Sequence, residues 1–138
     1  MNAKPRLTDY WVTCADGLET LLQQELENLG IQNIQRFAGR LIFKGTLENA
    51  YRVCMWSRLA SRVLLPIHTH ELEFTHDARD VAEELYEGAI SFDWSLVFAP
   101  QSTFAVRLHV EREIKVNTQF ATLRVKDGVV DSFMEAVG

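Results

Sequence analysis

Arg112, Lys115, Asn117, Arg124 and Lys126 are the residues of this sequence with the most capacity for chemistry, and that chemistry is anion binding. Arg112 and Lys115 fall in the loop after a strand expected over Thr103–Val110, and Asn117 or Thr118 starts a long helix toward the C-terminus. A helix N-terminus presents unpaired N–H groups and a partial positive charge, a natural seat for a phosphate. Arg124 and Lys126 follow one to two turns later. Two residues apart is about 200° of rotation, so the pair cannot face one phosphate together. The plainer account is an exposed Lys126 paired with an acid on a neighbouring turn. Charge distribution bears on the choice. Arg107, Arg112, Lys115, Arg124 and Lys126 stand against only Glu111 and Glu113, on a chain with 14 basic and 19 acidic residues and a net charge of −5. Between Glu71 and Asp93 the balance reverses, with Glu71, Glu73, Asp77, Asp80, Glu83, Glu84, Glu87 and Asp93 against Arg79 alone. Such a chain is no whole-surface binder of polyanions, but it has room for one local basic patch.

The other chemically capable groups are weaker. His68 and His70 share one face of an extended segment, near Glu71, Glu73, His76 and Asp77, a usable spacing for zinc or nickel. Histidines at a solvated strand end that merely titrate near neutrality account for the same residues, and no metal is expected. Cys14 and Cys54 have no histidine near them in sequence and match no metal or redox spacing, so reduced thiols in a cytoplasmic protein are expected. There is no G-x-S-x-G run and no G-x-G-x-x-G run, so no catalytic or cofactor-binding residue is assigned. Glu25 interrupts an apolar helical stripe and is either a functional acid or a marginal residue with its carboxylate in water. Trp11, Trp56 and Trp94 either stack on bases or pack in a core or domain interface, and their apolar contexts favour packing. Arg58 and Arg62 make an i, i+4 pair if a helix reaches them, suited to phosphate or to ion pairs with the acidic helix.

Periodicity supplies the elements that position these groups. Tyr10–Cys14 reads as a strand, and Asp16 with Glu19 as a capping-box-like start of a helix carrying Leu18, Leu21, Leu22, Leu26 and Leu29. Gly30 is its left-handed stop. Ile34–Phe37 and Leu41–Lys44 read as strands joined at Ala38-Gly39. Thr46 caps a second helix with Leu47, Ala50, Tyr51, Val53 and Cys54 inward, and Arg62–His70 is extended, held to a sheet edge by Pro66. This is the βαββαβ order of a ferredoxin-like unit. Thr75 caps a further helix with Ala78, Val81, Ala82, Leu85, Tyr86 and Ala89 inward, and Phe92–Phe98 is an aromatic turn. The last helix turns Ala121, Val125, Val129, Phe133 and Val137 inward. One strand with two helices cannot close a sheet in the second half, so that half reads as incomplete. No stretch approaches the roughly 18 apolar residues of a membrane span, and the N-terminus has no secretory h-region.

CADGLETLLQQELENLG, MWSRLASRVLLPI (Met55–Ile67) and NTQFATLRVKDGVVDSF (Asn117–Phe133) resemble the N-terminal part of the bacterial large-subunit (23S) ribosomal RNA guanine-N2-methyltransferases that carry a THUMP domain. The resemblance runs from Tyr10 to the end. It implies an α+β chain: a ferredoxin-like βαββαβ domain over 1–70, then an α/β THUMP domain over 71–138 that lacks its last strands, with a THUMP boundary as early as about 46 as the alternative. It further implies ribosomal RNA as partner, and a C-terminal methyltransferase domain of the same protein using S-adenosylmethionine. Arg112, Lys115, Asn117, Arg124 and Lys126 are then the expected RNA-binding residues. The family's chemistry resides in an Asn/Asp-Pro-Pro-Tyr/Phe motif. Here Pro5, Pro66 and Pro100 are nowhere adjacent, so catalysis is expected elsewhere. A structural or docking domain with little RNA affinity of its own is the alternative.

Overall fold

The computed structural model describes residues 7–72, 78–111, 114 and 116–137. The chain divides into two units, Met1–Ile67 and His68–Gly138.

The first unit is built from β1 (Thr8–Thr13), α1 (Glu19–Asn28), β2 (Ile34–Phe37), β3 (Arg40–Gly45), α2 (Leu47–Trp56) and β4 (Arg62–Leu64). Its sheet order is β2-β3-β1-β4 with every neighbouring pair antiparallel, the ferredoxin-like arrangement. Strand alternation sends Tyr10, Val12, Leu41 and Phe43 to one face, where they meet Leu22 and Leu26 of α1 and Ala50 and Val53 of α2. Burying each large side chain contributes about 2 kcal/mol. Gly39 turns the β2–β3 hairpin at φ +75° and Gly30 ends α1 at φ +86°, left-handed values that favour glycine. Thr46 caps α2 in a capping box with Asn49: its hydroxyl accepts from the Asn49 N–H at 3.2 Å, and the Asn49 amide oxygen accepts from the Thr46 N–H at 2.9 Å.

Several expectations need correction here. Asp16 does not cap α1, which starts at Glu19, whose carboxylate accepts from the N–H groups of Gly17 and Gly39, each at 2.9 Å. Those bonds, the one from Gly39 foremost, hold the Glu19 carboxyl below its usual range. In α2 only Ala50 and Val53 face the core, while Leu47, Tyr51 and Cys54 are exposed, because one row of small and branched residues is all the sheet accepts. Residues 62–70 pair only as far as Leu64, antiparallel to β1 at the sheet edge, since Pro66 has no N–H to extend the ladder. Arg58 and Arg62 share no helix, as α2 ends at Trp56.

The second unit contains α3 (Ala78–Ile90), a 3₁₀ turn (Trp94–Leu96) and α4 (Thr118–Val137). Val81, Ala82 and Ala89 of α3 are buried together with Ala121 and Val129 of α4, on the faces their spacing predicted. Gly128 of α4 lies tight against α3. A Cβ there would stand 2.7 Å from the Ala89 Cβ and 2.8 Å from the Tyr86 carbonyl oxygen. Phe98 packs on Phe104 and Phe133, and the Trp94 indole donates to the Ala89 carbonyl at 2.7 Å. Thr103–Val110 is not a strand. Its alternation is real, with Val106, Leu108 and Val110 half-buried and Arg107 and His109 exposed, but among the described residues of this unit no strand exists to pair with it. The expected Thr75 cap lies outside the described residues.

Candidate nucleic-acid interface

Asn117 sits at the N-cap of α4, where its side-chain oxygen accepts from the Phe120 N–H at 3.1 Å and its carbonyl accepts the first helical bond from Ala121 at 2.9 Å. One of the terminal donors is satisfied this way, and the others face outward with the positive end of the helix dipole. An open cleft of about 560 Å³ lies against this end, bounded by Leu108, Asn117, Thr118, Phe120 and Leu123. Arg112 and Lys115, expected beside it, lie outside the described residues. Lys126 is half exposed with its ammonium 3.7 Å from Asp127, a loose surface pair.

Arg124 is placed differently. Its guanidinium donates through Nε to Oε1 and through Nη2 to Oε2 of Glu83, both at 3.0 Å, and through Nη1 to Asp127 at 3.3 Å. The same group lies over the Tyr86 ring, 4.1 Å from its centroid, and Tyr86 donates its hydroxyl to Asp131 at 2.6 Å. The bonds to Glu83 push the Arg124 pKa further up, and the bond to Asp131 raises that of the Tyr86 phenol. This network clasps α4 to α3. Nothing near Arg124 in sequence announced it, because Glu83 and Tyr86 come from another helix.

The remaining candidates disperse. Among the described residues no group of three or more histidine, cysteine or acidic side chains is placed to hold a metal, and His68 lies against Phe92 with ring centroids 5.1 Å apart. S-adenosylmethionine has no glycine-rich G-x-G-x-x-G loop here to receive it. Glu25 is not loose in water; it accepts from the Ser57 hydroxyl and from the Arg58 N–H (3.1 Å to Oε2), closing the turn after α2. Trp94 packs inside the second unit, but Trp56 is 65% exposed and so is not core. Trp11 is half-buried on the open face of the sheet, with the Arg40 guanidinium 4.4 Å from its ring centroid. The period-2 pattern of β1 and β3 carried that signal, since Tyr10 and Val12 facing inward put Trp11 on the other side.

Fold and site define a ferredoxin-like domain followed by a helical region with a cleft at a capped helix start. The family model of the RlmL ferredoxin-like domain matches residues 9–64 and that of the THUMP domain residues 79–138. The two matched segments follow one another in that order. It is 85% identical over all 138 residues to the ribosomal RNA large subunit methyltransferase K/L of Acinetobacter baylyi, and 44% identical over 135 residues to that of Psychrobacter arcticus. It spans only 19% and 17% of those two relatives. Among solved structures, it resembles SMU.472, described as "a putative methyltransferase complexed with SAH" (TM-score 0.77, 25% identity, 96% of this chain and 33% of that one). A predicted N6-adenine-specific DNA methylase from Listeria monocytogenes shares the fold (TM-score 0.72, 21% identity, 96% and 33% of the two chains).

Proposed function

We propose that this chain is the RNA-recognising part of a cytoplasmic, S-adenosylmethionine-dependent ribosomal RNA guanine-N2-methyltransferase. It holds structured large-subunit RNA by phosphate and shape contacts, and a methyl-transfer domain elsewhere in the parent protein modifies the guanine. Anchoring matters because such enzymes must expose the target base, and a separate module holds the substrate meanwhile. The observation that carries the reading is the THUMP match over 79–138, which includes the Asn117-capped start of α4 and its open cleft. Asn117, with Arg112, Lys115 and Lys126, forms the contact set. Arg124 supports it by fixing α4 on α3, since Glu83, Asp127 and Tyr86 already engage its guanidinium.

Charge reversal separates this from a purely structural domain. Arg112→Glu, Lys115→Glu and Lys126→Glu together are expected to weaken binding of a ribosomal RNA hairpin by at least about tenfold and to reduce the salt slope by roughly 2 to 3. Unchanged affinity and slope would favour the docking-domain reading, which draws on the exposed Glu87 of α3 and the net charge of −5. Arg124 is a poor choice for reversal, since an acid there would face Glu83 and Asp127 and test folding instead.

A further inference from the structure

In the first unit both helices cover one face of the sheet, and the register fixes what the other face carries. Trp11 and Thr13 of β1 lie beside Ile42 and Arg40 of β3 and beside Leu64 and Arg62 of β4, while Phe37 of β2 stands opposite Arg40. Lys44, Asp9 and Gln35 also lie on this face. Phe37 is 43% exposed and Leu64 41%, so the surface is open and partly apolar. Arg40 stands at the hairpin end of this face, its guanidinium 4.4 Å from the Trp11 ring centroid and 5.3 Å from that of Phe37. The Arg40 Nε is shielded from solvent and meets no hydrogen-bond partner among the described residues. None of Arg40, Lys44 and Arg62 lies within 4.0 Å of a carboxylate among those residues, unlike Arg52 and Arg124.

We propose that this face binds an unpaired stretch of RNA, with the Trp11 and Phe37 rings stacking on bases and Arg40, Lys44 and Arg62 meeting phosphates. The choice of RNA over other polyanions rests on the function proposed above; the stacking platform itself rests on the sheet. Every base has a π-face, so flat rings hold single strands without regard to sequence, and a four-stranded antiparallel sheet with outward aromatics is a recurring frame for this. β1 and β2 flank β3, so the two rings stand roughly 10 Å apart with Arg40 between them. That spacing suits separate bases of a splayed strand. Three cations against Asp9, on a chain of net charge −5, give the face the sign that phosphate needs. An A-form duplex keeps its bases stacked internally and offers these rings nothing. The face therefore complements the helix-start cleft, which suits structured RNA.

The test uses the 138-residue chain, a fluorescein-labelled unpaired RNA octamer, the same octamer as DNA, and a ribosomal RNA hairpin. Trp11→Ala, Phe37→Ala and Arg40→Ala are each expected to weaken the RNA octamer about tenfold, whereas Trp11→Phe retains most of the affinity. Thermal melting confirms that the variants fold, and Phe37→Ala and Arg40→Ala carry the test where Trp11→Ala does not fold. Lys126→Glu is expected to weaken the hairpin and spare the octamer. If the hairpin is ignored while octamer binding depends on Trp11, this inference stands and the helix-start reading falls. Octamer binding that is undetectable, or unmoved by the three folded alanine variants, overturns it. So does a DNA octamer that binds tighter than RNA, or a wild-type dimer in sedimentation that Trp11→Phe or Phe37→Ala dissolves while RNA affinity holds.

Discussion

Glu25→Ala is expected to destabilise the first unit by about 2–3 kcal/mol, because it strands donors that have no other partner in the turn. Glu25 accepts from the Ser57 hydroxyl and the Arg58 N–H, the latter at 3.2 Å to one carboxylate oxygen and 3.1 Å to the other. The Leu59 N–H reaches the same carboxylate at 3.5 Å, and Ser57 Oγ in turn accepts from the Ala60 N–H at 3.0 Å. Removing one charged acceptor thus opens the turn that leads α2 into β4, and hydrogen bonds to an ion are worth roughly 1.5–3 kcal/mol each in place. The protonation state matters too. Partial burial pushes the Glu25 carboxyl up, but the hydrogen bonds from Ser57, Arg58 and Leu59 and the Arg58 charge outweigh it and hold the pKa below the ordinary 4.5. A depressed native pKa means the stabilisation is complete above the unfolded value and is lost as pH falls through the native one. Denaturant midpoints measured at pH 7 and in acid should therefore fall for the wild type, and less steeply for Glu25→Gln. A Glu25→Ala midpoint equal to wild type at pH 7 would refute the role assigned to this residue.

Gly128→Ala sets two effects of opposite sign against each other. In an unconstrained helix the change adds about 1 kcal/mol of stability. Here the new Cβ would lie 2.7 Å from the Ala89 Cβ, 2.8 Å from the Tyr86 carbonyl oxygen and 3.2 Å from the Ile90 nitrogen. Two of those three atoms are backbone, so the helices must separate. The Arg124–Glu83 pair and the Tyr86–Asp131 bond resist that. Overpacking of this kind costs about 1–3 kcal/mol, and the net expectation is a loss of about 1–2 kcal/mol. Ala89→Gly in the same chain should restore part of it, since the Tyr86 carbonyl remains in the way. Denaturant unfolding of both single variants and the double variant checks this. A more stable Gly128→Ala chain would show that α3 and α4 do not meet at this glycine.

What sequence made legible was whatever local pattern decides. The apolar period of α1, the Gly39 turn and the alternation of β1 and β3 gave the βαββαβ order, and the spacing of Val81, Ala82, Ala121 and Val129 gave the facing sides of α3 and α4. What escaped was decided by partners distant in the chain. Glu25 finds its donors 32 to 34 residues away and Arg124 finds Glu83 at a separation of 41, so a stripe-breaking acid read as a functional or marginal group and a basic helix residue as an RNA contact. Thr103–Val110 alternates correctly, yet alternation reports burial and a strand also requires a ladder. Trp11 shows the same limit from another side: its apolar neighbours suggested packing, while the register sets it on the open face.

A salt titration of this chain's binding to a ribosomal RNA hairpin tests the central claim most directly. Phosphate recognition releases counterions, so the logarithm of the affinity should fall linearly with the logarithm of salt concentration, with a slope of roughly −2 to −4 for three to four contacts. A flat titration, or no binding at low salt, would contradict the account and leave the chain a scaffold for recognition performed elsewhere.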